Sequence, residues 1–288
     1  MKNLKYYFQK AQKEGFAVGQ FNFSDFTQMK AIVSAAQKNK SPIILGTSEN
    51  ESKFFGLEEA VALRDALRKK YKVPLFLNLD HGKSFEYIKQ AVIAGYDMVH
   101  FDGSKLPLAE NIKISKQVVT YAGKKGILVE GEVGRIGTDA SRVYMEEFVI
   151  KEEDLTKPEE AKEFLKKTGV DLLAVSVGNF HGIEISGIDP NLRLDVLASI
   201  KKETGRTFLT LHGGSGTDSE DIKKAIRLGI VKININTELR LAFTGRLRKS
   251  LETDKDEIVP YKYLGSSFDG VEITVAGKIN LFGSQNKV

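Results

Sequence analysis

Short apolar runs rich in β-branched residues alternate along the chain with longer stretches in which apolar residues recur every three or four positions. The runs are typical of buried strands, and the longer stretches are typical of amphipathic helices. Eight such runs occupy residues 15–23, 41–49, 73–81, 95–103, 126–134, 170–179, 206–214 and 229–238. Several helical stretches end in glycine just before the next run, which is a usual helix stop.

Eight strand-then-helix units with largely apolar strands predict a parallel α/β fold, a (β/α)8 TIM barrel formed as a single domain by residues 1–288. An open, doubly wound sheet is the alternative. The segment 133–158 is too long for a simple strand-to-helix connection, and we predict that it forms a lid-like loop. Residues 253–288 form a C-terminal extension whose apolar helical stretch we expect to pack on the barrel wall.

Composition narrows the range of functions mainly by exclusion. The 288 residues carry a net charge of +5 and include no cysteine, which rules out disulfides, thiolate nucleophiles and Cys-ligated metals. The basic residues follow predicted helix faces without clustered arginines and aromatics, so we expect no nucleic-acid partner. No apolar run approaches about 18 residues, so we expect no membrane association and a cytoplasmic protein. A positive field would suit an anionic, phosphorylated small substrate.

Polar residues lie near the C-terminal end of every predicted strand. In a barrel these ends converge on one face, where active sites are built. A packed barrel has no need of charges there, because burying them without partners is costly. The residues brought together in this way are Asn22, Ser48, Asp80, His81, Asp102, Glu130, Glu132, His181, His212, Ser215, Asn234 and Asn236.

Three of the four histidines precede a glycine at the end of a predicted run, at positions 81, 181 and 212. Three neutral imidazoles with an open fourth position are typical of a catalytic divalent metal, most often Zn²⁺. The alternative is that each histidine is a hydrogen-bonded core or turn residue. The fourth, His100, lies within the predicted fourth strand, and we assign it a structural role.

Carboxylates beside these histidines have two interpretations each. Asp80 precedes a predicted ligand and is well placed for proton transfer, although such a carboxylate can instead orient a histidine. Asp102 and Glu132 either form a second, oxygen-rich cation position or pair with basic residues.

The glycine-rich turn HGGSG (212–216) and the segment NINT (234–237) occupy the usual phosphate site of barrels, with a plain tight turn as the alternative.

Taken in order, a set of motifs resembles the class II, metal-dependent fructose-bisphosphate aldolases, and most closely the branch that includes the tagatose-bisphosphate aldolases. The similarity runs along nearly the whole chain. The motifs are LDHG (79–82), DGS (102–104), VEGEVG (129–134), HG (181–182), LHGGSG (211–216) and KININTEL (232–239).

The resemblance implies reversible aldol cleavage of a ketose 1,6-bisphosphate, fructose first and tagatose next, into dihydroxyacetone phosphate and glyceraldehyde 3-phosphate. It implies that His81, His181 and His212 bind the catalytic Zn²⁺ and that Asp80 moves the proton of the C4 hydroxyl. It also implies a second divalent position, a nearby monovalent cation (Na⁺ or K⁺) and a homo-oligomer, either dimer or tetramer. The second position would use Asp102 and Glu132, and the substrate phosphate would bind Gly182, Gly213, Gly214, Ser215, Asn234, Ile235, Asn236 and Thr237.

Two stretches depart from the family pattern. The family carries an acidic pair after VEGEVG, one member of which abstracts the carbon-bound proton. Here the chain reads IGTDASRVY, which leaves Asp139, Glu146 and Glu147 as candidates. SENES (48–52) replaces a loop of small residues. Because of these departures, another phosphorylated sugar remains an alternative substrate, and the residue that binds the second phosphate is open among Arg240, Arg135 and Lys278.

Two other functions compete with a metal-dependent aldolase. Lys232 lies in an apolar strand and could act as the amine of a Schiff-base aldolase. The altered loop would also suit a sugar-phosphate-binding relative that has lost turnover, although such a protein would not need Asp80 and three histidines.

Overall fold

The structure, a computed structural model, describes residues 2–136, 143–144, 151–184 and 191–288. Its strands in chain order are β1 Val18–Asn22, β2 Ile43–Ser48, β3 Leu75–Gly82, β4 Met98–Phe101, β5 Leu128–Val133, β6 Val143–Tyr144, β7 Leu172–Val175, β8 Ile183–Glu184, β9 Phe208–Leu211 and β10 Ile230–Ile235. Eight of them close a parallel barrel in the order β1-β10-β9-β7-β5-β4-β3-β2. This confirms the predicted barrel over an open sheet, and each predicted run overlaps one barrel strand. The short β6 and β8 pair only with each other.

Helices follow the strands and surround the barrel. They are α1 Leu4–Glu14, α2 Phe26–Lys38, α3 Glu49–Phe55, α4 Leu57–Tyr71, α5 Phe85–Ala94, α6 Leu108–Gly123, α7 Pro158–Thr168, α8 Leu194–Thr204, α9 Ser219–Arg227, α10 Thr237–Thr253, α11 Pro260–Tyr263 and α12 Gly265–Leu281. Side-chain caps start several of them, as where Ser84 accepts a hydrogen bond from the Tyr87 amide. Within the described ranges, no helix is long and apolar enough to cross a membrane.

Apolar side chains close the N-terminal end of the barrel. The first helix, α1, is capped by Asn3 and buries Leu4, Tyr7, Phe8 and Ala11. These residues form one buried cluster with the first inward-facing residues of the strands, which include Val18, Ile44, Phe76, Met98, Leu172 and Phe208. The N-terminal helix is therefore a plug, and access to the barrel interior is from the opposite end.

Two segments outside the strand–helix repeat have different surroundings. In the C-terminal extension, α12 packs against α2 and α10, and Glu272 accepts a hydrogen bond from Lys38 Nζ at 2.8 Å. In the segment 133–158, the described ends are tied together, since the Arg135 amide donates to the Asp154 carbonyl at 2.8 Å. Positions 137–142 and 145–150, with Asp139, Glu146 and Glu147 among them, lie outside the described residues, so the lid stays a prediction.

Candidate active site

A cavity of about 750 Å³ opens at the C-terminal ends of the barrel strands. Twelve of the fourteen predicted site residues line it: Asp80, His81, Asp102, Glu132, His181, Gly182, His212, Gly213, Ser215, Asn234, Asn236 and Thr237. Of the described residues predicted for the site, Gly214 and Ile235 are not part of the lining. Ile235 is fully buried, and the Gly214 amide donates to the Asn234 carbonyl at 3.1 Å. These two residues support the site from behind.

His81 and His212 face each other in the centre of the cavity, with Nε2 of His81 3.0 Å from Nδ1 of His212. The other ring nitrogen of each histidine contacts a carboxylate: His81 Nδ1 lies 3.1 Å from Asp102, and His212 Nε2 lies 2.7 Å from Glu130. In the neutral tautomers whose N–H groups point to these carboxylates, the two facing nitrogens both carry lone pairs.

Two lone pairs at this distance require a positive charge between them, either a proton or a metal ion. Burial lowers the pKa of His212 to about 3, so this ring is neutral. Burial also acts to lower the pKa of His81, but Asp80 and Asp102 outweigh it and the net shift is upward. Two imidazole nitrogens on one tetrahedral zinc lie about 3.3 Å apart. The donor set therefore fits a metal ion.

His181 lies beside this pair. Its ring centroid is 4.7 Å from that of His81 and 6.0 Å from that of His212. The structure thus brings the three predicted ligands together from β3, from the segment after β7 and from the end of β9. His181 is not among the residues whose candidate ligand atoms all lie within 4.8 Å of one another, which are Asp80, His81, His100 and His212.

His100 belongs to the same cluster, which the sequence interpretation missed. Its Nδ1 accepts the backbone N–H of His81 at 3.2 Å, and its Nε2 lies 3.3 Å from Glu132 Oε2. His81 has φ +51°, a left-handed conformation that costs a residue other than glycine about 1–3 kcal/mol. His100 therefore stabilises the strained backbone of a candidate ligand. Strand alternation could have revealed it, because His100 shares the inward face of β4 with Asp102.

Asp80 is held at the end of β3 by two amides. Its Oδ1 accepts from Asn234 and its Oδ2 from Asn22, each at 3.0 Å, and the residue is only 5% exposed. Burial alone would raise the pKa of Asp80, but His81 and His212 outweigh this effect and hold the pKa well below its usual range. Asp80 is therefore an oriented, ionised carboxylate that can accept a proton.

Asp102 and Glu132 flank His81 on its far side. Glu132 Oε2 lies 3.9 Å from His81 Nδ1, is buried and has no hydrogen-bond partner among the residues that the structure describes. Burial and the nearby Asp102 charge raise the pKa of Glu132 well above its usual range. With His81 they form a second group of atoms that could hold a cation.

Lys232, the Schiff-base candidate, is fully buried in an ion pair. Its Nζ lies 3.0 Å from Glu130 Oε2 and donates to Asn234 Oδ1 at 2.9 Å. Burial alone would raise the pKa of Glu130, but Lys232 and His212 outweigh it and hold the pKa well below its usual range. An ammonium group paired in this way is a poor nucleophile, since only the unprotonated amine attacks a carbonyl. Lys232 instead positions Glu130, which in turn orients His212.

The glycine-rich turn and the start of α10 form one wall of the cavity. Gly213 has φ +62°, and a side chain there would overlap the Phe180 carbonyl. The side chain of Asn236, which precedes α10, does not cap the helix, whereas Ser215 Oγ accepts the Glu238 amide at 3.3 Å. Amides at the start of a helix attract anions, so this wall is suited to a phosphate.

A closed parallel barrel with histidines and carboxylates converging at the C-terminal ends of its strands defines a class: a (β/α)8-barrel enzyme with a candidate metal centre. Comparison with known proteins identifies the family. The family model for class II fructose-bisphosphate aldolase matches residues 2–287.

Relatives and solved structures agree with that match. The chain is 40% identical over 280 residues to the probable fructose-bisphosphate aldolase of Bacillus subtilis, which covers 96% of this chain and 95% of that protein. It is 38% identical to the fructose-bisphosphate aldolase of Staphylococcus epidermidis, with the same coverage. The YdjI aldolase of Escherichia coli superimposes with a TM-score of 0.84 at 29% identity, over 100% of this chain and 99% of that one.

The fructose-bisphosphate aldolase of Campylobacter jejuni, at 22% identity, shares the fold, with a TM-score of 0.85 over 99% of this chain and 95% of that one. The chain belongs to the class II fructose-bisphosphate aldolase family, and with it to the aldehyde-lyases.

Proposed function

We propose that this protein catalyses the reversible aldol cleavage of a phosphorylated ketose at a Zn²⁺ ion bound by His81, His181 and His212, with dihydroxyacetone phosphate as one product. The observation that carries the proposal is the pair of facing imidazole nitrogens of His81 and His212, 3.0 Å apart, beside Asp80. Fructose 1,6-bisphosphate is the first substrate to assay, because the curated relatives bear its name. Tagatose 1,6-bisphosphate, its C4 epimer, is the second.

Asp80 is the proposed base for the C4 hydroxyl. It takes the hydroxyl proton as the C3–C4 bond breaks, and the electron pair of that bond moves toward the C2 carbonyl. A divalent ion bound at the histidines would polarise that carbonyl and stabilise the negative charge that develops on its oxygen. Asn22 and Asn234 fix the carboxylate, so proton transfer needs no reorientation of Asp80.

Protonation at C3 completes the cleavage and yields dihydroxyacetone phosphate and an aldehyde. Asp139, Glu146 and Glu147 remain the candidates for this donor. The unsatisfied Glu132 oxygen supports a second divalent position between Asp102 and Glu132. A monovalent cation near the substrate and a dimeric or tetrameric assembly are further parts of the proposal.

Substrate binding is proposed for the wall made by the glycine-rich turn and α10. The phosphate of the dihydroxyacetone half would lie against the amides of Gly182, Gly213 and Ser215 and of the segment 234–237. The support is the position of these residues in the lining together with the start of α10, where the side chain of Asn236 forms no cap.

The test is cleavage of fructose and tagatose 1,6-bisphosphates by the purified protein, before and after EDTA and again after zinc is restored. We expect activity that disappears with the chelator and returns with zinc, and no inactivation by borohydride in the presence of substrate. Borohydride trapping would instead support a Schiff base at Lys232. A zinc-loaded protein that cleaves no phosphorylated ketose would support the sugar-phosphate-binding alternative.

A further inference from the structure

A buried carboxylate forms part of the cavity wall at α3. Glu51 is only 6% exposed, yet its two oxygens receive four hydrogen bonds. Oε2 accepts from the Ser48 amide at 2.7 Å and from Asn22 Nδ2 at 3.1 Å. Oε1 accepts from Arg240 Nη2 at 2.6 Å and from Asn236 Nδ2 at 3.3 Å. The number of donors indicates an ionised side chain in a single orientation.

The local sequence fixes this orientation. Ser48 ends β2 and caps α3, and Glu51 is the third residue of the helix, so the two form a reciprocal capping box. The box turns the Glu51 carboxylate back over the end of the barrel. The segment SENES is thus a short helix that carries an anion into the cavity.

Arg240, the cation that pairs with Glu51, is one of the candidate residues for binding the second substrate phosphate. Arg240 pairs with Glu51, and Lys278 pairs with Glu238 at 2.7 Å. Both cations therefore have a carboxylate partner. A phosphate group placed on Arg240 would also face the Glu51 carboxylate, and like charges brought together in a partly buried site repel strongly.

The position of the Glu51–Arg240 pair in the barrel relates it to the end of the substrate that is remote from the first phosphate. The ends of β2 and β3 lie across the barrel from the end of β9, which carries the glycine-rich turn. A ketose whose first phosphate binds at that turn and whose C4 hydroxyl faces Asp80 would place its far end toward β2 and β3. Asn22 joins the two regions, since its Nδ2 donates to both Asp80 and Glu51.

We propose that Glu51, by holding Arg240, selects for substrates whose far end carries hydroxyl groups in place of a phosphate. The substrate class is then a ketose 1-phosphate, which is cleaved at C3–C4 into dihydroxyacetone phosphate and an unphosphorylated hydroxyaldehyde. Carboxylate, guanidinium and amide groups together donate to and accept from hydroxyls. This inference rests on the proposed function, because it concerns the same cleavage at the same site.

The test compares fructose 1-phosphate with fructose 1,6-bisphosphate as substrates of the zinc-loaded enzyme. The ratio of their kcat/KM values cancels any change in Asp80 that affects both sugars alike. We expect the wild type to cleave the monophosphate at least as efficiently as the bisphosphate. Glu51→Gln keeps the capping box but removes the charge, and it should raise the bisphosphate-to-monophosphate ratio about tenfold or more.

Glu49→Gln is the matched control. Glu49 lies on the same helix and lines the same cavity, but it pairs with Lys53 at 2.7 Å and not with Arg240. Its substitution removes the same charge and should leave the ratio within about twofold of wild type, because Arg240 stays paired with Glu51. Adding Arg240→Met to Glu51→Gln should abolish the gain, and thermal unfolding of each variant reports whether it folds.

Three results would overturn the inference while the proposed function stands: a wild type that strongly prefers the bisphosphate, an unchanged ratio in Glu51→Gln, or an equal rise in Glu49→Gln. Failure to cleave any of the phosphorylated ketoses, tagatose 1,6-bisphosphate included, with zinc bound, would instead remove the proposed function.

Discussion

The two ends of the barrel interior differ in almost every chemical respect. At the N-terminal end, α1 seals a layer of apolar side chains that includes Val18, Phe76 and Phe208. At the next inward positions, six of the eight barrel strands carry polar and fully buried residues: Gln20, Asn78, His100, Glu130, Thr210 and Lys232. Two residues further along these strands, the inward positions face the cavity and are Asn22, Asp80, Glu132, His212 and Asn234.

Hydrogen bonds between the buried polar side chains compensate for their loss of contact with water. In the middle layer, Asn78 donates to Gln20 at 2.8 Å and Thr210 donates to Glu130 at 3.0 Å. Charged groups buried this deeply stabilise little on balance, because desolvation offsets their attraction. The comparison indicates that the apolar end supplies stability and that the polar layers orient the groups of the cavity. Substitutions at the two ends should therefore change different measurements.

The largest effect is expected for Asp80→Asn at the cavity end. Loss of the proposed base should lower kcat by about 10²–10⁴-fold, the usual contribution of general acid–base catalysis. Zinc content and melting temperature should stay close to wild type, and Asp80→Ser provides a second variant without a bulky amide. A fall in zinc content that matches the fall in kcat would show that Asp80 supports the metal centre instead.

Phe8→Ala tests the apolar end. Phe8 is fully buried, with its ring centroid 5.7 Å from that of Phe208, and truncation of such a side chain costs about 3–5 kcal/mol. Urea unfolding of the zinc-loaded protein measures this loss. At temperatures where the variant is folded, kcat should remain within about twofold of wild type, and a larger fall would mean that the two ends are coupled.

Substitution of His100, in the middle layer, should weaken the binding of zinc. His100→Phe removes the acceptor for the His81 amide and should weaken zinc binding by about 10–100-fold, as is typical when a partner of a ligand is lost. Competition with a chromophoric chelator measures the zinc dissociation constant. His100→Asn can retain an acceptor near the position of Nδ1 and should lose less. Equal affinities in all three proteins would leave His100 with the purely structural role first assigned to it.

The smallest effect is expected for Asn3→Ala at the start of the plug. Asn3 Oδ1 accepts the Tyr6 amide at 2.9 Å, and loss of such a cap costs about 1 kcal/mol. The free energy of unfolding should fall by that amount, with no change in kcat or zinc affinity. A change in catalysis from so distant an exposed residue would contradict the division of roles between the ends.

The sequence predicts most of this architecture because the strand pattern is local. Every barrel strand overlaps a predicted run, with only β3 extending one residue beyond it, and the three His-Gly doublets lead directly to the cavity. Two-residue strands such as β6 and β8 have no pattern to detect, since two positions define no periodicity.

Glu51 shows why some site residues escape such prediction. In the sequence it is one acid in a polar stretch, typical of an exposed helix start. Its side-chain partners Asn22, Asn236 and Arg240 are 29, 185 and 189 residues away. Only closure of the barrel brings them together. The same holds for Glu130, whose role depends on His212 and Lys232 from two other strands.

The close approach of Gly213 to Phe180 has a consequence for engineering the catalytic loops. The residue after His212 packs directly on the peptide before His181, and Asn179 Nδ2 donates to the His212 carbonyl at 3.0 Å. The first residues of these two loops, which follow β7 and β9, are therefore held together by direct contacts. Grafting either loop alone from a relative would displace a histidine on the other, so the two should be exchanged as a matched pair.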